Sequence, residues 1–214
     1  MSDFRIKTCP VGQLGTNCYI IYRESLKKAV IVDPGADGAY ILDMCRELSL
    51  VPEAILLTHG HFDHILAVKD LKEAFTEVKI YAGEKEKEML AEPSVNLSSS
   101  FGRAYTVHAD GYEEDGAILS LAGMTFKIIF TPGHTAGSVC YLVESEGILI
   151  SGDTLFMESL GRTDFPTGSQ SQILSSIKER LFTLPDDTLV YPGHGEATTI
   201  GHEKAYNPVA LYRG

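Results

Sequence analysis

The stretch Ala54-Ile55-Leu56-Leu57-Thr58-His59-Gly60-His61-Phe62-Asp63-His64 decides how this chain reads. Its first four residues form a short apolar run with the length and branching of a buried strand. Its last six carry three imidazoles and a carboxylate, at His59, His61, Asp63 and His64. Each is a good ligand for zinc or iron. Residues 65–71 then read as a helix, which places the four groups on a strand-to-helix turn. Ligands on such a turn are held by rigid elements yet face open space, as catalysis requires. One His-x-His alone would be explained as well by a solvated loop, and one His near a strand end by core packing. Four ligand-type residues in this alternation are not.

The same form recurs downstream. His134 lies in Thr131-Pro132-Gly133-His134-Thr135, Asp153 in Ser151-Gly152-Asp153-Thr154, and His194 in Pro192-Gly193-His194-Gly195. Each follows an apolar run and a turn of small residues. A metal site built from strand ends is the reading that covers all of them.

Bulk properties narrow the class. A chain of 214 residues, 44% apolar and 22% charged, can bury a full core as one domain spanning 1–214. The net charge of −11, with no run of Lys and Arg, argues against a nucleic-acid partner. The longest charged run, Glu84-Lys85-Glu86-Lys87-Glu88, alternates in sign and reads as a solvated helix face. No apolar run has the length of a membrane span, and residues 1–5 do not resemble a signal peptide. Cys9, Cys18, Cys45 and Cys140 form no Cys-x-x-Cys pair, so a cytoplasmic protein with reduced thiols is expected. Cys140 sits in the apolar run 139–143, where packing is the stronger reading than catalysis.

Along the chain, strands are expected at 4–11, 16–23, 29–32, 54–57, 78–82, 117–121, 125–130, 139–144 and 148–150. Helices are expected at 40–48 and 170–181, the latter with Ser169 as its cap. Residues 91–116 are the least regular part and read as a linker or, at least as well within one domain's length of chain, as a loop over the active site. A weak internal echo links Val30-Ile31-Val32-Asp33-Pro34-Gly35 with Leu149-Ile150-Ser151-Gly152-Asp153, both strands ending in an acidic turn.

His59-x-His61-x-Asp63-His64 followed in order by His134, Asp153 and His194 resembles the metallo-β-lactamase superfamily over essentially the whole chain. The resemblance implies an α/β fold, a four-layer αβ/βα sandwich with metals at one edge of its two sheets. It implies that His59, His61 and His134 bind one metal, that Asp63, His64 and His194 bind a second, and that Asp153 bridges them. Asp33 would order the site from behind the ligands. Gly161-Arg162-Thr163-Asp164-Phe165-Pro166-Thr167-Gly168 looks like a segment shared by glyoxalase II-like and persulfide dioxygenase-like members. Tyr191-Pro192-Gly193-His194-Gly195 and Asn207-Pro208 are similar to single-domain glyoxalase II-like hydrolases. True β-lactamases lack the bridging Asp, so antibiotic hydrolysis is not expected.

The implied chemistry is hydrolysis of a small-molecule thioester, with S-(2-hydroxyacyl)glutathione as the leading class. Two divalent ions, zinc first and iron or manganese as alternatives, would ionise a bridging water near pH 7. That hydroxide would attack the carbonyl, with Asp63 orienting it. A thiolate leaves readily because a thiol has a pKa of only about 8.5. An amide would need a proton donor for its amine, and the motifs offer none; His108 and Tyr112 read as structural. Full-length glyoxalase II carries a C-terminal helical domain for glutathione, which is not expected here. Arg162, His202, Lys204 and Arg213 are the candidates to replace it, against a stronger reading of each as surface charge. The alternatives are an iron persulfide dioxygenase using His59, His134 and Asp153, a lactonase, and a non-catalytic metal module. A nuclease is disfavoured by the charge.

Overall fold

The computed structural model describes residues 3–212. An antiparallel meander opens the chain: β1 (Phe4–Val11), β2 (Thr16–Arg23) and β3 (Lys28–Val32). Helix α1 (Gly38–Glu47) carries the chain back so that β4 (Val51–Leu57) lies parallel to β3. After α2 (Phe62–Ile65) and α3 (Val68–Ala74), β5 (Lys79–Gly83) joins parallel to β4. A short 3₁₀ turn (Glu84–Glu86) and α4 (Lys87–Ala91) lead through an irregular stretch to β6 (Gly111–Glu113), which closes a six-stranded sheet in chain order.

The second sheet starts with four antiparallel strands, β7 (Ile118–Leu121), β8 (Met124–Phe130), β9 (Val139–Val143) and β10 (Ile148–Gly152). A small hairpin, β11 (Leu155–Phe156) and β12 (Ser159–Leu160), precedes α5 (Gln170–Ser175). Then β13 (Leu189–Pro192) pairs parallel to β10, β14 (Thr198–Thr199) adds the edge, and α6 (Ile200–Tyr206) and α7 (Pro208–Leu211) follow. The echo in the sequence has a structural counterpart. Both β3 and β10 have an antiparallel neighbour before them and a parallel one after, across a helix.

Period-two alternation splits each sheet between two cores. In β4, Ala54 and Leu56 face the other sheet, meeting Phe126, Tyr141 and Ile150, while Ile55 and Leu57 face α1 and α3 with Ile41 and Leu71. Cys140, Leu142 and Val190 face the opposite way, onto Ile173, Ile177 and Leu181 of the outer helix and Ile200 of α6. The result is helix, sheet, sheet, helix: the four-layer αβ/βα sandwich expected. Cys140 is buried strand packing, and burial pushes its thiol up to about 12.

Three elements differ from expectation. The helix at 65–71 is broken in two, because the Ala67 N–H donates to Pro34 O (2.9 Å) instead of to the preceding turn. The helix at 170–181 is α-helical only to Ser175 and widens into a π-type turn over Ser176–Leu181. Its buried residues Ile173, Ile177 and Leu181 recur every four positions, which drifts on a 3.6-residue helix; the wider turn keeps them in line. Ser169 does cap it, its Oγ accepting from the Gln172 N–H. The run Glu84–Glu88 is solvated as expected at Glu84, Lys85, Lys87 and Glu88, but Glu86 is buried, 1% exposed.

At one edge the sheets are tied by polar groups. The Asn17 amide donates to Pro192 O (3.0 Å) and Gly195 O (2.9 Å), and the Tyr19 hydroxyl donates to Pro192 O (2.6 Å). The Tyr141 hydroxyl donates to Leu57 O (2.8 Å), and the Val139 N–H to Thr58 O (2.9 Å).

Candidate metal centre

That tied edge is where the strand ends deliver ligands. Leaving β4, the chain places His59, His61, Asp63 and His64 on and before α2, from the first sheet. The turns after β8, β10 and β13 supply His134, Asp153 and His194 from the second. All seven sequence-predicted groups meet in one cluster. His59, His61 and His134 form one trio of ligand atoms within 4.8 Å, and Asp63, His64 and His194 form another. Asp153 stands between them: Oδ1 is 3.4 Å from His64 Nε2, and Oδ2 is 3.6 Å from His134 Nε2 and 3.5 Å from His194 Nε2.

Neighbouring groups set which ring nitrogen each histidine offers. His134 Nδ1 donates to Arg162 O (2.8 Å), so its Nε2 faces inward without a proton. His64 Nδ1 donates to Asp33 Oδ2 (2.9 Å), leaving Nε2 free. His194 Nδ1 lies against Leu14 O (3.3 Å) and turns Nε2 to Asp63 Oδ2 (3.3 Å). Asp33 also accepts from the Thr58 N–H (2.8 Å) and hydroxyl (2.6 Å). With its oxygens so occupied, Asp33 orients His64 although it also sits within ligand range of His59 and His64.

The cluster fits a metal on its own evidence. His59 Nε2, His61 Nε2, His64 Nε2 and Asp153 Oδ1 are buried with no hydrogen-bond partner among the described residues. A buried polar atom left unpaired costs about 1–3 kcal/mol. All four belong to predicted ligands, and His61 Nδ1 also lies 2.9 Å from His134 Nε2, two nitrogens sharing one focus. Burial, and then His134, push His61 down to about 3, so its imidazole is neutral and its lone pair available. Burial works against charge on His64 too, but Asp153, Asp63 and Asp33 outweigh it and lift the group to about 10. Burial would raise Asp63, yet His64 and the bond from His194 hold its carboxyl well below the usual range. Carboxylates thus call for positive charge at the centre, which a proton on His64 meets in part and a cation would meet fully.

Reasoning from sequence missed Glu86. Its Oε2 accepts from the Gly60 N–H (2.7 Å), between His59 and His61. Its Oε1 accepts from the Thr135 hydroxyl (2.6 Å), next to His134, and from the Gly137 N–H (3.0 Å). One carboxyl therefore spans both loops that bear the first trio. The signal was present in the helical spacing: Met89 and Leu90 are buried three and four residues on, so Glu86 shares their face. Gly193 is a second such position. A Cβ there would stand 2.1 Å from Asp153 Oδ1 and 2.8 Å from His64 Cε1.

The cleft over the cluster is lined by His61, Asp63, His134, Asp153 and His194 with Leu97, Phe101, Phe156, Phe165 and Arg162 among others. Leu97 and Phe101 come from the irregular stretch expected to cover the site. Arg162 is fixed on Asp164 through two bonds of 2.7 Å and lies 3.8 Å over the Phe165 ring. Of the other proposed carrier contacts, His202 pairs with Glu158 (3.0 Å) and Lys204 with Asp186 (2.6 Å), and neither lines the cleft. Arg213 lies outside the described residues. His108 and Tyr112 pack on each other, ring centres 6.2 Å apart, away from the cleft.

This centre on this fold defines a class. Residues 11–194 match the metallo-beta-lactamase superfamily, and the chain belongs to it. Among its relatives are the probable metallo-hydrolase YqgX of Bacillus subtilis, 40% identical over 93% of this chain and 94% of that one, and the hydroxyacylglutathione hydrolase GloC of Haemophilus influenzae, 36% identical over 95% and 96%. A solved structure titled BLEG-1 B3 metallo-beta-lactamase superposes with a TM-score of 0.90 at 41% identity, covering 95% of this chain and 98% of that one. The likeness to metallo-hydrolases makes this chain a member of a hydrolase superfamily with a His/Asp cluster suited to a dinuclear metal site. Among the described residues, no helix is long and apolar enough to cross a membrane.

Proposed function

We propose that this protein is a dinuclear metal-dependent thioester hydrolase, glyoxalase II-like, with S-(2-hydroxyacyl)glutathione as its substrate class. The observation that carries the reading is what the cleft lacks. Apart from the candidate ligands, its polar side chains among the described residues are Ser159 and Arg162. Neither is suited to protonate a departing amine, so the leaving group must depart as an anion, which a thiolate does readily. The likeness to GloC supports the same substrate class.

His59, His61 and His134 would hold one ion, Asp63, His64 and His194 the other, and Asp153 both; zinc is the first choice, iron or manganese the alternatives. Ions bound there would lower the pKa of water toward 7 and offset negative charge on the carbonyl oxygen. The chain's own part is to position. Thr16 Oγ1 donates to Asp63 Oδ2 (3.1 Å), fixing a carboxylate that stays ionised and would accept a hydrogen bond from an attacking water. The Arg162 carbonyl and Asp33 hold His134 and His64 in their tautomers. Phe101, Phe156 and Phe165 give the cleft an apolar wall. The expected setting is the cytoplasm, with small molecules as partners.

A second reading is favoured by one finding, the high likeness to a B3 metallo-beta-lactamase. On that reading the amine of a β-lactam would leave without a side-chain acid. The test of both is thiol release from S-D-lactoylglutathione by zinc-reconstituted protein, alongside a chromogenic cephalosporin, with His61→Ala as control. Thiol release that vanishes in the control supports the proposal. Cephalosporin turnover without thiol release favours the second reading. Oxygen uptake with glutathione persulfide, in place of either, would move the protein to persulfide dioxygenase chemistry.

A further inference from the structure

Beside the metal cleft lies a second cavity of about 330 Å³. Val11, Ala36 and Leu66 form its inner wall, and Leu14, Phe62 and Phe101 separate it from the cleft. The two rings of that partition stack, centroids 4.1 Å apart at 25°. Leu14 and Phe101 are 54% and 62% exposed, large apolar groups at the rim with no core to serve. Asp63 lines both chambers, so the second opens onto a candidate ligand. Of its polar side chains, Gln13 and Arg103 are exposed, with Arg103 lying over the Tyr105 ring, while the buried ones are engaged. Thr16 is bonded to Asp63, and the Ser98 hydroxyl both donates to Tyr105 O and accepts from the Tyr105 N–H. Against the inner wall of Val11, Ala36 and Leu66 a hydroxyl-rich or peptide-like group would lose water without recovering its bonds.

Resting on the thioesterase reading, we propose that this chamber takes the acyl side chain, and that the favoured substrates carry an apolar side chain longer than the single methyl of a lactoyl group. The carbonyl would lie over the ligands on the cleft side of Asp63, with the 2-hydroxyl beside it. The alkyl or aryl remainder passes Leu14 and Phe101 into the apolar chamber. The carrier thiol then leaves by the open cleft, toward Arg162. Continuity through Asp63 is what selects the acyl group over any other occupant: a chain attached to the reacting carbon has the shortest path in.

The test uses two series on zinc-loaded protein. One is kcat/KM for the glutathione thioesters of 2-hydroxypropanoate, 2-hydroxybutanoate and 2-hydroxyhexanoate. The other is binding, by calorimetry, of the free 2-hydroxy acids of the same lengths, which are the products and need no turnover. Each buried methylene should raise both by about fourfold, on the order of 50-fold from the three-carbon to the six-carbon member. Ala36→Phe, which fills the chamber, and Phe101→Ala, which opens its outer wall at an exposed position, should each cut the increment below twofold. Turnover of the lactoyl ester with a flat series overturns the chamber and leaves the hydrolase reading standing. A steep acid-binding series without any turnover does the reverse. A steep series untouched by both variants places the chain elsewhere and overturns the proposal.

Discussion

Replacing Glu86 tests whether one buried carboxyl holds the first ligand trio in place. Glu86→Ala leaves the Gly60 and Gly137 N–H groups buried without an acceptor. At about 1–3 kcal/mol for each orphaned donor, the expected loss is about 4 kcal/mol of stability. Glu86→Gln keeps the shape but has one oxygen where two are needed. In either amide orientation one of the two N–H groups faces an NH₂, so the expected loss is about 2 kcal/mol. Urea unfolding of metal-free protein measures both, and a zinc-chelator competition reports whether affinity at the trio falls with them. Burial holds Glu86 at about 7, above its ordinary 4.5, despite the donors around it. A raised acid stabilises the fold fully below 4.5, and that contribution is lost as pH rises through 7. The loss is on the order of 3 kcal/mol. Glutamine does not titrate, so the gap between wild type and Glu86→Gln should narrow, or reverse, between pH 5 and pH 8. Metal-free protein is required because divalent ions would draw Glu86 back toward its charged form. Losses within 0.5 kcal/mol for both variants, or a gap that widens with pH, would refute the reasoning.

Three further outcomes are expected. His61→Ala should lower zinc stoichiometry from two toward one and abolish turnover, read by elemental analysis beside the thiol assay. Gly193→Ala, which drives a methyl to 2.1 Å from Asp153 Oδ1, should cost at least tenfold in metal affinity while leaving the far-ultraviolet spectrum intact. Metal loading should weaken as pH falls, because ions must displace protons from His64, lifted to about 10, and from His194, also raised. Without metal, the raised His64 contributes stability that is complete below about 6.5 and lost as pH rises through 10; thermal melts in chelator at pH 6 and pH 10 check the sign.

Much of this was legible in the sequence because the physics was local. The strands β1 and β2 lie at Phe4–Val11 and Thr16–Arg23, the bounds expected. The turn of His59 to His64 announced its chemistry by spacing alone. What escaped were features made by tertiary contact. A break at Ala67 needs Pro34, thirty-three positions away, to take its N–H. Glu86 sits in a run whose alternating signs resemble a solvated helix; its spacing to Met89 and Leu90 points it inward, but its bonds to Gly60 and Gly137 are tertiary. The short α6 and α7, and the strand β6, are too brief for a periodic pattern to stand out. The wall made by Leu97 and Phe101 lies in a stretch with no period at all, because those residues answer to the cleft and not to a sheet.

The polar ties between the two sheets have a use in the laboratory. The N–H of Asn17 bonds to Gly193 O (2.7 Å) and that of Val139 to Thr58 O (2.9 Å), each crossing from one half of the molecule to the other beside the ligands. Such amides exchange with solvent only when the halves breathe apart at that edge. An ion shared by histidines of both halves would clamp the opening, so protection at Asn17 and Val139 should rise with loading while amides at the far rim stay unchanged. Two backbone protons would then report occupancy without any substrate.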